Sequence, residues 1–384
     1  MDIFNDWIKT TGIYNLSWEN LVMFLIAFFF MYLAIKKNME AYELLPIGLG
    51  IIIANLPLAG MAVFDSTSGI HQSSGIFGVI FYYTLSFWNI LPPIIFLGLG
   101  AITDFTPLIN NPKTLLLGAA AQIGIFVSFW GASLTGYFTL KEAASIGIIG
   151  GADGPTTIFL TSNLAPHLLG ITAVIAYSYM AAVAFIQPPI MKLLTTKSER
   201  NIIMQESGAV NYKLKILFPN IAMFLIILIV PRSAPLISMF MIGNILKESN
   251  VVPRLVDAAS NELINLSTIF LMITIGTQLN GPKVINVETL LILGLGLVAF
   301  AVGSASGIIL AKIMNLFLKE KINPLIGSAG VSAVPMAARI SHHMGQEENP
   351  NNYLLSHAMG PNVAGVIGSA VIACLLYTSD AADE

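Results

Sequence analysis

The chain has 384 residues, of which 55% are hydrophobic and only 10% are charged. Soluble domains carry about 25% charged residues, so this composition excludes an ordinary soluble protein. The formal net charge is −3, and no basic stripe is present that could bind nucleic acid. Several apolar runs reach the ~20 residues that cross a bilayer, so the sequence predicts an all-α polytopic membrane protein.

The apolar runs predict about ten to twelve membrane-entering helices. Lys36 and Lys37 close the first run, which favours a cytoplasmic end there. The run 76–102 is too long for one ordinary span and contains Pro92 and Pro93, so we expect two short helices or one sharp kink. In chain order the predicted segments are 18–35, 44–64, 76–102, 114–137, 141–165, 168–193, 216–230, 235–246, 263–279, 289–317, 323–338 and 353–373.

An internal repeat organises the chain. Short matches in the same order link the region 86–193 with the region 260–373, and we expect the two repeats to be inverted. The region 1–85 is expected to hold scaffold helices, and the region 194–259 a cytoplasmic linker with connecting helices. Each repeat contains a glycine-broken segment. Paired broken helices or hairpins are the best sequence indication of a transporter's binding site.

The segment 150–157, Gly-Gly-Ala-Asp-Gly-Pro-Thr-Thr, places one carboxylate in an otherwise apolar run. A charge at bilayer depth costs at least ~2.5–3.5 kcal/mol, so Asp153 is a candidate functional residue. Broken backbone at that depth is tolerated only where it lines a cavity or is buried in protein. A carboxylate beside free backbone carbonyls suits Na⁺ or H⁺. The alternative is that Asp153 caps the helix that begins at the following Gly-Pro.

Two more motifs lie in the second repeat. The segment 323–339 is rich in small residues and ends at Arg339, whose guanidinium can either hold a carboxylate or extend to the membrane interface. Its Ser328 is interpreted as a small residue that lets helices approach. In the segment 357–365, a Gly-Pro pair precedes Asn362. The amide oxygen of Asn362 could ligate Na⁺, or the residue could cap the second half of a helix broken at Gly-Pro.

The end of the chain differs in character from the apolar run before it. Residues 374–384 resemble the translation of a sequencing adaptor, so we expect the natural protein to continue beyond Ala373 with a different sequence. The alternative is a short acidic tail. The only cysteine, Cys374, lies in this stretch, so no redox or metal function is assigned to it.

Together and in this order, the motifs at 150–156, 330–339 and 357–365 resemble those of the β subunit of the sodium-translocating biotin-dependent decarboxylases. That family includes the oxaloacetate, glutaconyl-CoA and methylmalonyl-CoA decarboxylases. The resemblance extends from about Trp18 to Ala373 and is specific for the family without choosing among its members.

The resemblance implies a Na⁺ site. Asp153 matches an essential membrane aspartate that binds Na⁺, and Asn362 matches a further residue of that site. Ser332 matches a hydroxyl linked to Na⁺ and proton movement. Asn323 and Gly327 match residues near it, so both belong to the predicted Na⁺ site.

The resemblance also implies residues for the reaction. Tyr179 stands at the position of a functional tyrosine, and Arg339 at that of a residue that meets carboxybiotin. Arg339, Asp153 and Ser332 are therefore the residues expected to carry the reaction.

For the activity, the resemblance implies a membrane subunit of a Na⁺-transporting decarboxylase in the bacterial cytoplasmic (inner) membrane. A carboxyltransferase moves CO₂ from a substrate to biotin on a carrier subunit. The β subunit then decarboxylates carboxybiotin and exports Na⁺ while a proton is consumed. The alternative is a stand-alone Na⁺-coupled secondary carboxylate transporter.

The implied cofactors are Na⁺ and a carboxybiotin that is attached to a partner, not to this chain. The implied partners are the carboxyltransferase and biotin carrier subunits and a small γ or δ membrane subunit. The β subunit is further expected to form a homotrimer in contact with membrane lipid.

Overall fold

The structure is a computed structural model that describes residues 2–61, 75–205, 208, 210–284, 286–333 and 335–380. Helices are the only regular elements in this part of the chain. Three expectations extend beyond it: the end of the predicted segment 44–64, Val334 in the motif 323–339, and the last four residues of the stretch 374–384.

The described residues form α-helices and six shorter 3₁₀ or π segments. The α-helices are α1 (Asp2–Lys9), α2 (Trp18–Lys37), α3 (Ala41–Asn55), α4 (Ile76–Phe81), α5 (Leu91–Ile102), α6 (Thr106–Asn110), α7 (Thr114–Ala121), α8 (Ile123–Leu134), α9 (Leu140–Gly147), α10 (Gly154–Leu164), α11 (Leu169–Leu194), α12 (Lys197–Arg200), α13 (Tyr212–Ile229), α14 (Ala234–Ser249), α15 (Pro253–Asp257), α16 (Ile264–Thr277), α17 (Gly281–Val284), α18 (Val287–Phe317), α19 (Met336–Glu348) and α20 (Leu355–Asp380). The 3₁₀ segments are Ile148–Gly151, Pro166–Leu168, Pro231–Ser233 and Pro324–Gly330, and the π segments are Tyr82–Phe87 and Ala258–Leu263.

Within the described ranges, seven helical stretches are long and apolar enough to cross a membrane. They are Trp18–Lys37, Thr114–Leu134, Pro166–Leu194, Tyr212–Ile229, Pro253–Thr277, Val287–Phe317 and Leu355–Thr378. The pair Ile76–Phe87 and Leu91–Ile102 brings the number to eight and is bent by 75°. The predicted interruption of 76–102 is therefore confirmed. The all-helical membrane class is confirmed as well, whereas the number of ten to twelve membrane-entering helices stays a prediction.

Glycines let the helices cross with their backbones in contact. Where α5 crosses α14, a Cβ at Gly100 would lie 1.9 Å from the carbonyl oxygen of Phe240. A Cβ at Gly243 would lie 2.0 Å from the carbonyl oxygen of Leu97. The crossing of α3 and α16 uses Gly50 in the same way. Because lipid offers no hydrophobic drive between apolar helices, this close backbone packing is a main source of their association.

A buried arginine ties α12 to the second glycine-broken segment. The side chain of Arg200 donates to Oε1 of Glu348 at 2.9 Å and to the carbonyl oxygen of Thr195 at 2.7 Å. Its own carbonyl oxygen accepts hydrogen bonds from the amides of Asn323 at 2.9 Å and Asn352 at 2.8 Å. The hydrogen bond from Arg200 lowers the pKa of Glu348.

The last helix, α20, continues through the stretch 374–384 as far as Asp380. Cys374 is fully buried and belongs to an apolar cluster with Phe159 and Val366. The expectation that this stretch is not native stays a prediction, since residues 381–384 lie outside the described part of the chain.

The variant Gly243→Ala is expected to unfold at lower temperature, because the new methyl group would overlap a backbone carbonyl. Overpacking of this kind costs about 1–3 kcal/mol, whereas alanine gains only about 0.5–1 kcal/mol over glycine in a helix. The measurement is the thermal unfolding midpoint of the detergent-purified protein. Gly294→Ala in α18 is the control, since a Cβ there meets no heavy atom within 4 Å. Equal midpoints for the two variants would contradict the close crossing.

The ion pair of Arg200 and Glu348 is expected to make stability depend on pH. Because the folded pKa of Glu348 is lowered, its contribution is present above the unfolded pKa of about 4.3 and is lost as the pH falls through the folded value. Glu348→Gln should therefore unfold below the wild type at neutral pH, and the difference should shrink below about pH 4. Glu347→Gln, which removes an exposed pair with Lys192, is the control and should change little. A difference that stays constant over this pH range would rule out the linkage.

Candidate functional site

Two broken segments meet at the candidate site. The first, between α9 and α10, winds as one 3₁₀ turn and reverses at Ala152 (φ 50°) before the extended Asp153. The second is the 3₁₀ helix Pro324–Gly330, which continues into extended backbone. The backbone N–H of Ser332 donates to the carbonyl oxygen of Gly151 at 3.2 Å. The two breaks therefore lie against each other, as the pairing of broken segments predicted.

The carboxylate of Asp153 is buried, with 5% of the residue exposed. Its Oδ2 accepts hydrogen bonds from the hydroxyls of Thr156 at 2.6 Å and Ser369 at 2.9 Å. Its Oδ1 accepts a longer contact of 3.4 Å from the backbone N–H of Thr156. Asp153 is thus the N-cap of α10, and its carboxylate still has acceptor capacity because it offers about four lone-pair sites. The capping interpretation is confirmed and leaves room for a bound cation.

Two further oxygens lie ready for a ligand. The hydroxyl of Ser332 and the amide oxygen of Asn362 are buried and have no hydrogen-bond partner among the described residues. The amide nitrogen of Asn362 donates to the carbonyl oxygens of Ala329 at 2.9 Å and Val331 at 3.2 Å, which fixes the orientation of the amide. A buried polar atom left without a partner costs about 1–3 kcal/mol. A hard cation such as Na⁺ is bound by oxygen ligands of this kind, so its binding would recover that cost.

The polar groups of α20 share one face. Asn362, Gly365 and Ser369 are three and four residues apart, a spacing that places them on the same side of a helix. A Cβ at Gly365 would lie 2.2 Å from the carbonyl oxygen of Gly330, so the helix backbone rests directly on the second broken segment. One face of α20 therefore contacts both breaks.

The Gly-Pro pair at 360–361 does not break α20. The helix runs without interruption from Leu355 to Asp380, with Pro361 inside it. The interpretation of Asn362 as the cap of a second half-helix is therefore wrong. Packing against α7 and the segment Pro324–Gly330 holds the helix together across the proline.

A cavity of about 120 Å³ lies beside Asp153 and Ser332, and Asn362 is not among its lining residues. Asp153 and Ser332 line it together with Tyr177 and with two glutamates at the start of α3, Glu40 and Glu43. Pockets that enclose drug-sized ligands measure about 300–1,000 Å³, whereas one water occupies about 30 Å³. The cavity is therefore sized for an ion with some water and is too small for a biotin group.

Two of the predicted Na⁺-site residues position the second break. Asn323 caps its 3₁₀ helix and donates to the carbonyl oxygen of Arg200 at 2.9 Å. A Cβ at Gly327 would lie 2.2 Å from the carbonyl oxygen of Gly307 on α18. These contacts hold the segment that carries Ser332, and neither residue lines the cavity. Ser328 is bonded within its own segment, to the carbonyl oxygen of Leu325 at 2.8 Å.

Arg339, one of the three residues expected to carry the reaction, and the predicted functional residue Tyr179 both lie outside the cavity. Tyr179 donates its hydroxyl hydrogen to the carbonyl oxygen of Leu293 on α18, and it is Tyr177 that lines the cavity. Arg339 is exposed on α19, and its charge acts on Glu40. The guanidinium of Arg339 is therefore near the glutamates that line the cavity, but Arg339 does not itself line it.

Sequence reasoning did not assign Ser369, Tyr177, Glu40 or Glu43 to the site. Ser369 could have been found from its spacing, since it follows Asn362 by seven residues, or about two helical turns. Glu43 gave no signal, because it stands just before the predicted apolar segment 44–64 and not within it. Tyr177 gave no signal, because a tyrosine in a long apolar helix is common.

The sequence matches one family over nearly its whole length. The family profile described as Na⁺-transporting oxaloacetate decarboxylase beta subunit matches residues 19–379. The chain is 55% identical over 386 residues to the methylmalonyl-CoA decarboxylase subunit beta of Propionigenium modestum, with 97% of this chain and 98% of the relative covered. It is 51% identical over 366 residues to the glutaconyl-CoA decarboxylase subunit beta of Acidaminococcus fermentans, with 95% and 94% covered. It is 46% identical over 424 residues to the oxaloacetate decarboxylase beta chain of Klebsiella pneumoniae, with 97% and 98% covered. The chain therefore belongs to the β-subunit family of the Na⁺-transporting decarboxylases, the family that its three motifs resemble.

Proposed function

We propose that this chain decarboxylates carboxybiotin and uses the free energy of that reaction to export Na⁺ across the bacterial cytoplasmic membrane, with consumption of a proton. The observation that carries the proposal is the buried carboxylate of Asp153, which shares an ion-sized cavity with the unpartnered hydroxyl of Ser332. Family membership supports the decarboxylation, and the site supports the ion transport.

The reaction requires one proton for each carboxybiotin. The bond between the carboxyl carbon and the ureido nitrogen breaks, CO₂ leaves, and the electron pair that stays on nitrogen takes up the proton. A buried carboxylate can be neutralised by Na⁺ or by a proton. The loading of Asp153 with Na⁺ therefore displaces the proton that the reaction consumes, and this exchange couples transport to chemistry.

In this proposal each site residue has a distinct role. Asp153, Ser332 and Asn362 supply side-chain oxygens to Na⁺, while Thr156 and Ser369 orient the carboxylate through their hydrogen bonds. The roles follow from the contacts: the first three carry oxygens with free acceptor capacity, and the last two donate.

The remaining predicted residues act around the ion site. Arg339 holds the carboxylate of carboxybiotin at the exposed end, since a guanidinium binds a carboxylate with two parallel hydrogen bonds. Asn323 and Gly327 position the segment that carries Ser332. Tyr179 acts on α18 through its hydrogen bond to the main chain. Biotin chemistry and ion binding therefore take place at two different sites of the protein.

We further propose that the chain works in a complex with carboxyltransferase and biotin carrier subunits, a small γ or δ membrane subunit and further β copies in a homotrimer. The apolar helices α2 and α13 are left largely uncovered by the rest of the chain, and in a membrane such a surface faces lipid or another subunit. The positions of the two breaks, one in 86–193 and one in 260–373, support the expected inverted repeats.

A stand-alone carboxylate carrier is the second candidate. Such a carrier would bind an organic acid near the ion site. The cavity beside Asp153 is small, and Glu40 and Glu43 line it, so an organic anion would be repelled there. The structure thus favours an ion as the occupant, and the pump remains the better proposal.

Uptake of ²²Na⁺ into proteoliposomes separates the two functions. With the complete decarboxylase complex and its substrate, we expect uptake that stops when avidin captures the biotin. The chain reconstituted alone, in the same lipid and at the same amount, is the control and should take up no Na⁺. Uptake by the chain alone that is insensitive to avidin and driven by a carboxylate gradient would identify a carrier and contradict the pump.

Two substitutions test the ion site. Asp153→Asn should abolish Na⁺-dependent carboxybiotin decarboxylation in the assembled complex, because an amide cannot exchange Na⁺ for a proton. Ser369→Ala should raise the half-saturating Na⁺ concentration about tenfold, because a hydrogen bond to a charged group contributes roughly 1.5 kcal/mol. The control is Ser356→Ala, which removes an exposed hydroxyl from the same helix. Unchanged Na⁺ dependence in both site variants would show that the ion binds elsewhere.

A further inference from the structure

The proposed function leaves the two glutamates of the cavity without a role. Glu40 precedes α3 in left-handed backbone (φ 36°), and Glu43 lies in the first turn of that helix. Their carboxyl groups lie within hydrogen-bonding reach of each other, and Oε2 of Glu43 is buried without a donor among the described residues. Ionised carboxylates only accept hydrogen bonds, so a bond between the two groups requires a proton on one of them. The pair is therefore able to hold one proton between its two members.

The pair lines one cavity with the buried carboxylate of Asp153 and lies near the exposed cation of Arg339. The charge of Arg339 acts on Glu40 from α19. On the other side, the buried phenol of Tyr177 on α11 lies within electrostatic reach of Glu40, Glu43 and Asp153. Among the residues that the structure describes, Arg339, Tyr177 and Asp153 are thus the titratable or charged groups of neighbouring elements that lie near the pair.

In the described part of the chain, the other helices packed on α3 add no charge to this lining. From α16 comes Thr268, whose side chain is uncharged. At the end of α2, Lys36 and Lys37 are exposed. Asp153 therefore shares the cavity with the pair, while Arg339 acts on Glu40 from outside it.

The cavity holds an independent sign that a ligand passes through it. Ser332 is 3% exposed, lines the same space, and its hydroxyl has no hydrogen-bond partner in the described part of the chain. At about 30 Å³ each, roughly four waters fill the volume of this cavity. Ser332 and Tyr177 line this space together with the glutamate pair and Asp153, so waters filling it would link the carboxyl groups.

We propose that Glu40 and Glu43 relay the proton from Asp153 to the carboxybiotin held at Arg339, an inference that rests on the pump proposed above. Na⁺ binding converts the carboxylic acid of Asp153 to a carboxylate and releases its proton. That proton passes to the glutamate pair. When CO₂ leaves carboxybiotin, the ureido nitrogen keeps the electron pair of the broken bond and takes the proton from the pair. When Na⁺ leaves Asp153, the carboxylate takes up one proton from the water on the side to which the ion is released. The next exchange then recharges the pair, and that proton is the one consumed in each turnover.

The test uses the complete complex with the double variant Glu40→Gln and Glu43→Gln. The measurement is the single-turnover rate of decarboxylation of ¹⁴C-carboxybiotin on the complex, between about pH 6 and pH 8, together with the half-saturating Na⁺ concentration. We expect the rate at neutral pH to fall tenfold or more, since positioned proton donors contribute about 10²–10⁴-fold. We also expect added formic or acetic acid to restore part of the rate, because a small acid can enter the cavity and donate in place of the pair. The half-saturating Na⁺ concentration should stay within about twofold of the wild type, because Asp153 is intact.

Glu262→Gln is the matched control, since it neutralises an exposed glutamate in the π segment Ala258–Leu263. A wild-type rate and pH profile in the double variant overturns the relay. A raised half-saturating Na⁺ concentration with an unchanged pH profile also overturns it, because that result would show that the two glutamates bind Na⁺ on its path. Rates are expressed per assembled complex. If the double variant does not assemble, Glu43→Gln and Glu40→Asp are measured singly by the same criteria. Avidin-sensitive Na⁺ uptake by the wild type is measured in parallel: its absence refutes the pump itself, whereas its presence beside a normal double variant refutes the relay alone.

Discussion

The structure depends on the cost of keeping one carboxylate away from water. At bilayer depth that cost is at least ~2.5–3.5 kcal/mol, and it must be offset by partners close at hand. Two hydroxyls, from Thr156 and Ser369, supply part of the compensation for Asp153. The hydroxyl of Ser332 in the same cavity has no partner among the described residues, so the remaining compensation is left to a bound ion or proton. A carboxylate whose acceptor sites were all occupied by protein donors would bind neither Na⁺ nor a proton. The free acceptor sites of Asp153 are therefore what allow the two ions to exchange.

The broken backbone around Asp153 is kept in place by an unbroken neighbour. Both breaks rest on α20, which contacts the segment Pro324–Gly330 along its length and donates from Ser369 to the other break. Close packing at Gly365 brings the main chain of α20 against the carbonyl oxygen of Gly330. Arg200 and Asn323 fix the far end of the second break from outside. Two irregular segments can therefore hold a defined geometry, since each is bound at its ends to regular structure.

Much of this arrangement could be predicted from the sequence, and the exceptions have physical causes. An aspartate between glycines in an apolar run is costly wherever it occurs, so Asp153 and the broken segments were predictable. The interruption at Pro92 was predictable from the restricted backbone of proline. The continuity of α20 at Pro361 was not, because only packing against α7 and the 3₁₀ helix holds the helix straight there. The family, by contrast, could be identified from the sequence, because its three motifs occur here in the same order.

The choice between Tyr177 and Tyr179 shows a different limit. Side chains two positions apart on a helix point about 200° away from each other, so Tyr177 faces the cavity while Tyr179 faces α18. The rotation of α11 about its axis decides which tyrosine faces the cavity. This rotation is set by packing against helices that are distant in the sequence. Glu43 was hidden for a similar reason, since α3 reaches the cavity through its close crossing with α16 at Gly50.

The cavity lies between two groups of helices, and this position bears on how a pump avoids leakage. The glutamate pair stands at the start of α3, which packs mainly on α2 and α16, whereas the break at Asp153 packs on α8, α18 and α20. Tyr177 belongs to α11, which contacts members of both groups. A proton moves along a chain of waters and side chains only while every link is within hydrogen-bond distance, so transfer from Asp153 to the pair requires the two groups of helices to be close together. A small separation of these groups would stop proton transfer without changing any ligand of Na⁺. Na⁺ release and proton transfer then take place in different conformations. Because the protein must pass through both conformations in each cycle, neither step can proceed without the other.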